Sequence, residues 1–244
     1  MALNGEPPPW DEFDSSAYLK DNYVVLRDDD RQIVELVRDF FVGATFDVPL
    51  KGVDVGSGTN IYPALAMLPW CDHLDLCEYS AQNVEWLKNE IRAYSDSWDP
   101  FWDVLSEKPA YQAIDNPREA LLKRAQVSKE SIYELPADTW DIGTMFFVAE
   151  SISDQAAEFE LAVRKFVAAL RPGAPFAAAF MENSTGYDVG ALRFPAVSIG
   201  LSDVRDLLAP CTTDLAVDSI GPGSDPLREG YTGMILARGR AAAE

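Results

Sequence analysis

Two short features of this sequence carry chemical meaning when they are read together. The first is the run Val53-Asp54-Val55-Gly56-Ser57-Gly58-Thr59-Asn60, in which two glycines break an apolar stretch. Glycine at such a place permits a tight turn and a close approach of ligand to backbone. The dinucleotide pattern G-x-G-x-x-G is incomplete, because Ile61 stands where its third glycine would let a helix end close on a pyrophosphate. NAD is therefore disfavoured. The second feature is Glu78, 22 residues beyond Gly56. A carboxylate at the end of a second strand can accept both hydroxyls of a ribose. Taken singly, the loop also fits a plain turn and the acid a solvated strand end. In this order they favour an adenosyl ligand without phosphates, S-adenosylmethionine (SAM), its amino and carboxylate groups met by backbone around Gly56, Ser57 and Gly58.

These residues need a scaffold, and the flanking pattern supplies one. RQIVELVRDFFVGA, from Asp30, spaces Ile33, Val34, Val37, Phe40 and Phe41 as one helix face, with Gly43 near its stop. KGVDV reads as a strand, NIYPALAML as a helix with Pro63 in its first turn, and HLDLCEY as the next strand. Ser80 is placed to N-cap AQNVEWLKNEIRAY, whose Val84, Leu87, Ile91 and Tyr94 share a face. From residue 96 to 135 the alternation lapses into an insertion of surface structure with a helix at PREALLKRAQ. It resumes as strand DIGTMFFV, helix DQAAEFELAVRKFVAALRPG, strand FAAAFM, helix SDVRDLLAP and strands TDLAVDSI and GMILARG. Alternating strands and helices without repeats or linkers predict one α/β domain, residues 1–244, doubly wound around a mostly parallel sheet.

Composition narrows the partners. Forty acidic against twenty basic residues, a net charge of −20, repel nucleic acid and anionic membrane surfaces. No apolar run reaches the ~20 residues of a membrane span. The N-terminus lacks the basic and apolar regions of a secretory signal. Three cysteines and one histidine, His73, give neither a disulfide framework nor a zinc-ligand spacing, which predicts no metal and a cytoplasmic protein.

The segments VDVGSGTNIYPAL, CEYSAQNVEWLK and LRPGAPFAAAF, in this order and spacing, resemble the small-molecule N-methyltransferase family that contains the nicotinamide, phenylethanolamine and indolethylamine N-methyltransferases. The likeness extends upstream to Tyr18-Leu19-Lys20-Asp21-Asn22-Tyr23, similar to the family's Y-L-x-x-x-Y, and covers residues 15 to 240. It implies a seven-stranded, Rossmann-like class I methyltransferase with residues 1–29 as an N-terminal cap, acting as a monomer or weak dimer. By position it implies that Tyr18 and Tyr23 fold over the site, that Gly56, Ser57 and Tyr62 line the methionine end, that Glu78 holds the ribose, and that Tyr79 and Asn83 lie near the adenine. The family's acid and hydrophobic pair at the adenine becomes Gln126 and Val127, and its carboxylate after the fourth strand falls at Ala149, with Glu150 one place on. Phe180 replaces an acid found in some members, Glu182, Asn183 and Ser184 follow it, and Tyr187 matches a tyrosine that stacks on substrate.

Methyl transfer to a neutral nitrogen moves positive charge from sulfur to product, so alignment and tolerance of a cation matter more than a strong base. Glu150 and Glu182 are the acids expected to bind the acceptor or take its proton. Tyr18, Phe146 and Tyr187 are expected to pack on it or offer their π faces, with Ser184 beside them. His73 precedes its strand and lies at the edge of the sheet remote from the ligand. The alternatives are an O-methyltransferase for a small phenol or acid, and a SAM-binding protein that has lost catalysis.

Overall fold

The computed structural model describes residues 8–46, 49–223 and 231–243. A short 3-10 turn, Trp10–Glu12, leads into helix α1 (Ser15–Asn22), which Asp14 caps by accepting from the Ala17 amide. Helix α2 (Asp28–Gly43) opens on three aspartates that complement its positive end, and it buries Ile33, Val34, Val37 and Phe41. Strand β1 (Leu50–Val55) feeds α3 (Tyr62–Met67), a helix buried on all sides with Pro63 in its first turn. Strand β2 (Cys71–Glu78) feeds α4 (Ala81–Ala93), where the Ser80 hydroxyl accepts from the Asn83 amide as N-cap and Tyr94 ends the helix in a left-handed conformation.

Three short helices follow, α5 (Asp99–Leu105), α6 (Pro109–Gln112) and α7 (Pro117–Arg124), then strand β3 (Ala125–Lys129). Beyond them lie β4 (Ile142–Phe146), α8 (Ala156–Ala169) and β5 (Pro175–Glu182). A small hairpin, β6 (Tyr187–Val189) and β7 (Leu192–Phe194), precedes α9 (Leu201–Leu208), β8 (Thr212–Ile220) and β9 (Gly233–Ala241).

Seven strands form one sheet in the order β3-β2-β1-β4-β5-β9-β8. The first five are mutually parallel, and β9 runs antiparallel to both β5 and β8. Side chains of β5 alternate between two cores: Ala177, Ala179 and Met181 pack with α2 and α3, whereas Phe176, Ala178 and Phe180 pack with α8 and α9. Both faces are covered, which is why this strand reads as an unbroken apolar run. Strand order reverses between β1 and β4, so the ligand crevice of such a sheet opens at their carboxyl ends.

Two expectations change. Residues 96–135 are not surface structure: they supply the edge strand β3, and Trp98, Phe101 and Tyr111 are fully buried. The helix read through PREALLKRAQ stops at Arg124, and its last two residues already belong to β3. The loop expected after β5 contains the β6–β7 hairpin, on which the N-terminal segment rests through Trp10, Phe13 and Phe194 with ring centroids 5.0 to 5.2 Å apart.

Candidate functional site

The glycine loop is shaped by one backbone conformation. Gly56 has φ +67°, and a Cβ there would stand 2.5 Å from Val148 Cγ1, so geometry and space both demand glycine. Its amide donates to the Cys77 carbonyl at 2.7 Å, and the Ser57 amide reaches the same oxygen at 3.4 Å. The Gly58 amide donates to Glu78 Oε2 at 2.8 Å, while Glu78 Oε1 accepts from the Ser80 amide at 2.7 Å. The three loop amides are therefore satisfied within the protein. Donors without a partner in the protein are found instead on neighbouring side chains.

Those side chains are Thr59 and Asn60, neither of which stands out in the sequence. Both line the cavity and are buried, and neither Thr59 Oγ1 nor Asn60 Nδ2 has a partner within the protein. Asn60 is held in place by its Oδ1, which accepts from the Tyr62 amide at 3.0 Å. A buried donor without a partner costs about 1–3 kcal/mol, which a ligand carboxylate at this loop would relieve.

The cavity measures about 460 Å³ and opens at the carboxyl ends of β1, β2 and β4. Gly56, Ser57, Gly58, Glu78, Tyr79 and Asn83 are among its lining residues. Tyr18 of α1, Tyr23 just after it, Phe146 of β4 and Tyr187 of β6 bring aromatic rings. Asn83 accepts from Ser15 Oγ at 2.7 Å, fastening α1 to α4. The Trp10 carbonyl accepts from Ser80 Oγ at 2.6 Å, and Asp11 accepts from the Ala81 amide at 2.8 Å, so the N-terminal segment is pinned beside Glu78.

Other expected residues lie elsewhere. Gln126 and Val127 sit inside β3, paired with Asp75 and Leu76, and stay outside the cavity; the residues that follow β3, Glu130, Ser131 and Ile132, line it instead. Tyr62 lies behind the wall, its ring stacked on Phe101 at 5.1 Å and its hydroxyl donating to Asp30 at 3.1 Å. Glu150 occupies the 3-10 turn after β4, fully buried, and Oε1 accepts from the Met181 amide at 2.9 Å, locking the turn to β5. Glu182 accepts from the Thr232 hydroxyl at 3.0 Å, and neither it nor the buried Ser184 reaches the cavity. Phe147, in a left-handed conformation with φ +61°, turns into the space where acids were expected.

Burial raises the Glu78 carboxyl, and the amides of Ser80 and Gly58 hold that rise in check. Asp54, one strand position before the loop, is pushed up to about 7 by burial, against the hydrogen bonds of Ser57 and Thr144 and with the nearby charge of Glu78. His73 bonds Asp75 at 2.8 Å near the start of β2 and does not line the cavity.

A doubly wound sheet with this strand order, a glycine turn after β1 and a buried acid closing β2 over one cavity defines a class I SAM-dependent methyltransferase fold. Within that class the chain belongs to the NNMT/PNMT/TEMT family, whose model matches residues 8–221. It is 24% identical over 225 residues to phenylethanolamine N-methyltransferase of Macaca mulatta, covering 82% of this chain and 77% of that one. Among solved structures it is similar to the N-methyltransferase NodS from Bradyrhizobium japonicum WM9 in complex with S-adenosyl-L-homocysteine, with TM-score 0.58, 13% identity, and 94% and 93% of the two chains covered. It is also similar to the [4+2]-cyclase SpnF, with TM-score 0.59, 14% identity, and 88% and 82% covered. The fold thus carries more than one chemistry, and the family membership is what makes this chain a SAM-dependent N-methyltransferase of small molecules.

Proposed function

We propose that this chain, as one domain, transfers the methyl group of SAM to the nitrogen of a small amine or N-heteroaromatic molecule through the cavity at the ends of β1, β2 and β4. The observation that carries the reading is the make-up of that cavity. The segments after β1 and β2 bring Glu78 and the partnerless donors of Thr59 and Asn60 to its lining, and the N-terminal segment, the end of β4 and β6 bring Tyr18, Phe146, Phe147 and Tyr187. The first set suits a ribose diol and an amino-acid carboxylate. The second suits a flat or cationic acceptor.

SAM supplies a methyl group on a sulfonium. Glu78 orients its ribose, while Thr59 and Asn60 donate to its carboxylate. The aromatic rings exclude water and stabilise the cation by about 0.5–2 kcal/mol each where they face it. The net charge of −20 attracts cationic SAM and amines over a distance.

Pure protein incubated with labelled SAM and a panel of amines, pyridines and phenols is expected to label nitrogen compounds. Label on phenols alone would make it an O-methyltransferase, and tight SAM binding with no transfer a non-catalytic binder. We place it in the cytoplasm, where Cys71, Cys77 and Cys211 remain free thiols. No described helix is long and apolar enough to cross a membrane. Exposed large apolar side chains are scattered, among them Val25, Leu122 and Leu161, which supports a monomer or weak dimer.

A further inference from the structure

Of the described residues, Tyr94, Asp138, Phe147, Asn183 and Asp214 hold a positive φ without being glycine. Aspartate and asparagine tolerate that conformation, and Tyr94 takes it as the stop of α4. For a bulky side chain elsewhere it is costly and persists only where the surroundings enforce it. Phe147, with φ +61°, is the one of these residues that lines the main cavity. What enforces its conformation lies on both sides of it. The Phe147 amide donates to the Ala179 carbonyl of β5 at 2.7 Å. Val148 packs over Gly56, and its carbonyl accepts from the Ser151 amide at 2.9 Å as the 3-10 turn begins. Between these ties the Phe147 side chain turns inward, its ring in edge contact with that of Phe146 at 6.2 Å. Glycine would hold the same turn at no cost, so the ring is the part of this residue that the turn does not need.

That ring also lines a second cavity, of about 10 Å³. The two cavities have Tyr18, Tyr23 and Phe147 in common, so these three rings stand between them. Tyr23 is buried there against the rings of Trp98 at 5.9 Å and Tyr62 at 6.1 Å. Phe147 reaches the partition from the end of β4, next to the residue that covers the glycine turn. Behind the rings stand Asn22, Asp30, Met181 and Met234. The space holds about one water molecule and no organic substituent. Methionine side chains adapt to what lies beside them, so this chamber widens readily once a ring is removed.

We propose that Phe147 sets the size of the acceptor: its ring closes the main cavity against the small chamber and so selects compact nitrogen compounds over those carrying an alkyl substituent. This rests on the N-methyltransferase reading above. Phe147 takes no part in the bond changes and acts by exclusion. An acceptor whose substituent meets the ring is held off the line of attack on the methyl carbon, and a displacement of about 1 Å slows such a step about 10²-fold.

The test compares kcat/KM for pyridine and for benzylamine with the values for their methyl-, ethyl- and propyl-substituted analogues, the alkyl group placed at each ring position in turn. Wild type, Phe147→Gly and Phe147→Leu are measured, each with its S-adenosylhomocysteine affinity by calorimetry. Wild type is expected to favour the parent compounds. Phe147→Gly keeps the turn while removing the ring, and is expected to raise the ethyl-to-parent ratio at least about tenfold at one ring position, the scale of a methylene in an apolar pocket. Its S-adenosylhomocysteine affinity is expected to stay within about threefold of wild type. Phe147→Leu is expected to shift the ratio less and in the same direction, and it decides the matter where Phe147→Gly does not fold. A ratio that keeps its wild-type value in the folded variants, a loss shared equally by every acceptor, or a shift seen only as S-adenosylhomocysteine affinity collapses would overturn the role of Phe147 while leaving nitrogen transfer intact. So would a wild type that favours the alkylated compounds. A wild type that labels no nitrogen compound would overturn both readings together.

Discussion

Removing the Glu78 carboxylate tests the cofactor half of the site most directly. Each Glu78 oxygen accepts one backbone amide, from Gly58 at 2.8 Å and from Ser80 at 2.7 Å. A carboxylate offers about four acceptor positions, and the Asn83 side chain and the Tyr79 amide also act on Glu78, so ribose hydroxyls are expected to take over positions these weaker partners hold. A hydrogen bond to a charged group contributes about 1.5–3 kcal/mol. Two that share one acceptor are less than additive, which gives about 3–4 kcal/mol, or a 10²–10³-fold weaker complex for Glu78→Ala. Calorimetry with S-adenosylhomocysteine measures this. Because Glu78 also braces the glycine loop, part of the loss would come from loop disorder. The 2′-deoxy analogue separates the two: wild type is expected to prefer the parent compound by at least about tenfold, and Glu78→Ala to lose that preference. A folded variant that binds within about threefold of wild type, or keeps the preference, would refute the assignment of the diol to Glu78.

Gly56→Ala meets both a φ of +67° and a Val148 methyl 2.5 Å away. It should cost about 3 kcal/mol or more in denaturant unfolding, with partial recovery when Val148→Ala is added. Asp54 is held at about 7 against an ordinary 3.8, so the folded state keeps a proton that the unfolded chain releases. Stability attributable to this residue falls as pH rises from 3.8 towards 7. Asp54→Asn should therefore melt above wild type at pH 8 by up to about 4 kcal/mol and lose that advantage in acid; an advantage independent of pH would contradict its origin in the buried carboxylate. Ser80→Ala loses both the helix cap and the bond to the Trp10 carbonyl, so about 1–2 kcal/mol of stability and faster proteolysis of the N-terminal segment are expected.

What the sequence made legible follows from how each element is buried. Strands enclosed on both faces, such as Phe176–Met181, appear as apolar runs, and amphipathic helices such as α2 repeat their buried residues along one face. Strand β3 has no such signature: AQVSK lies at the sheet edge with no buried residue, so it merged into the helix before it. Glu78 was readable because the loop after β1 and the end of β2 are fixed relative to each other by adjacent parallel pairing from Gly52↔Leu74 to Val55↔Cys77. Thr59 and Asn60 were equally close to that motif. What singles them out is a missing partner, which only three-dimensional structure reveals.

The acceptor half was legible only in part, with Tyr18, Phe146 and Tyr187 at the cavity and the two acids away from it, and the reason bears on how such an enzyme changes substrate. Glu150 and Glu182 do stand just after or at the ends of β4 and β5, as expected, but a place along the chain does not fix a side chain's direction. One folds back onto the Met181 amide and the other meets Thr232, while Phe147 turns inward. The rings that replace the acids come from residues 10 to 23, from β4 and from the β6–β7 hairpin, three segments joined by side-chain packing rather than by a shared ladder. Packing of this kind tolerates substitution so long as volume is kept, whereas the β1–β2 end depends on a left-handed glycine and a carboxylate with two backbone bonds. The β1–β2 end is thus the constrained half. A different nitrogen acceptor is expected to require changes at Phe13, Tyr18, Phe147 or Tyr187, and none at Gly56 or Glu78.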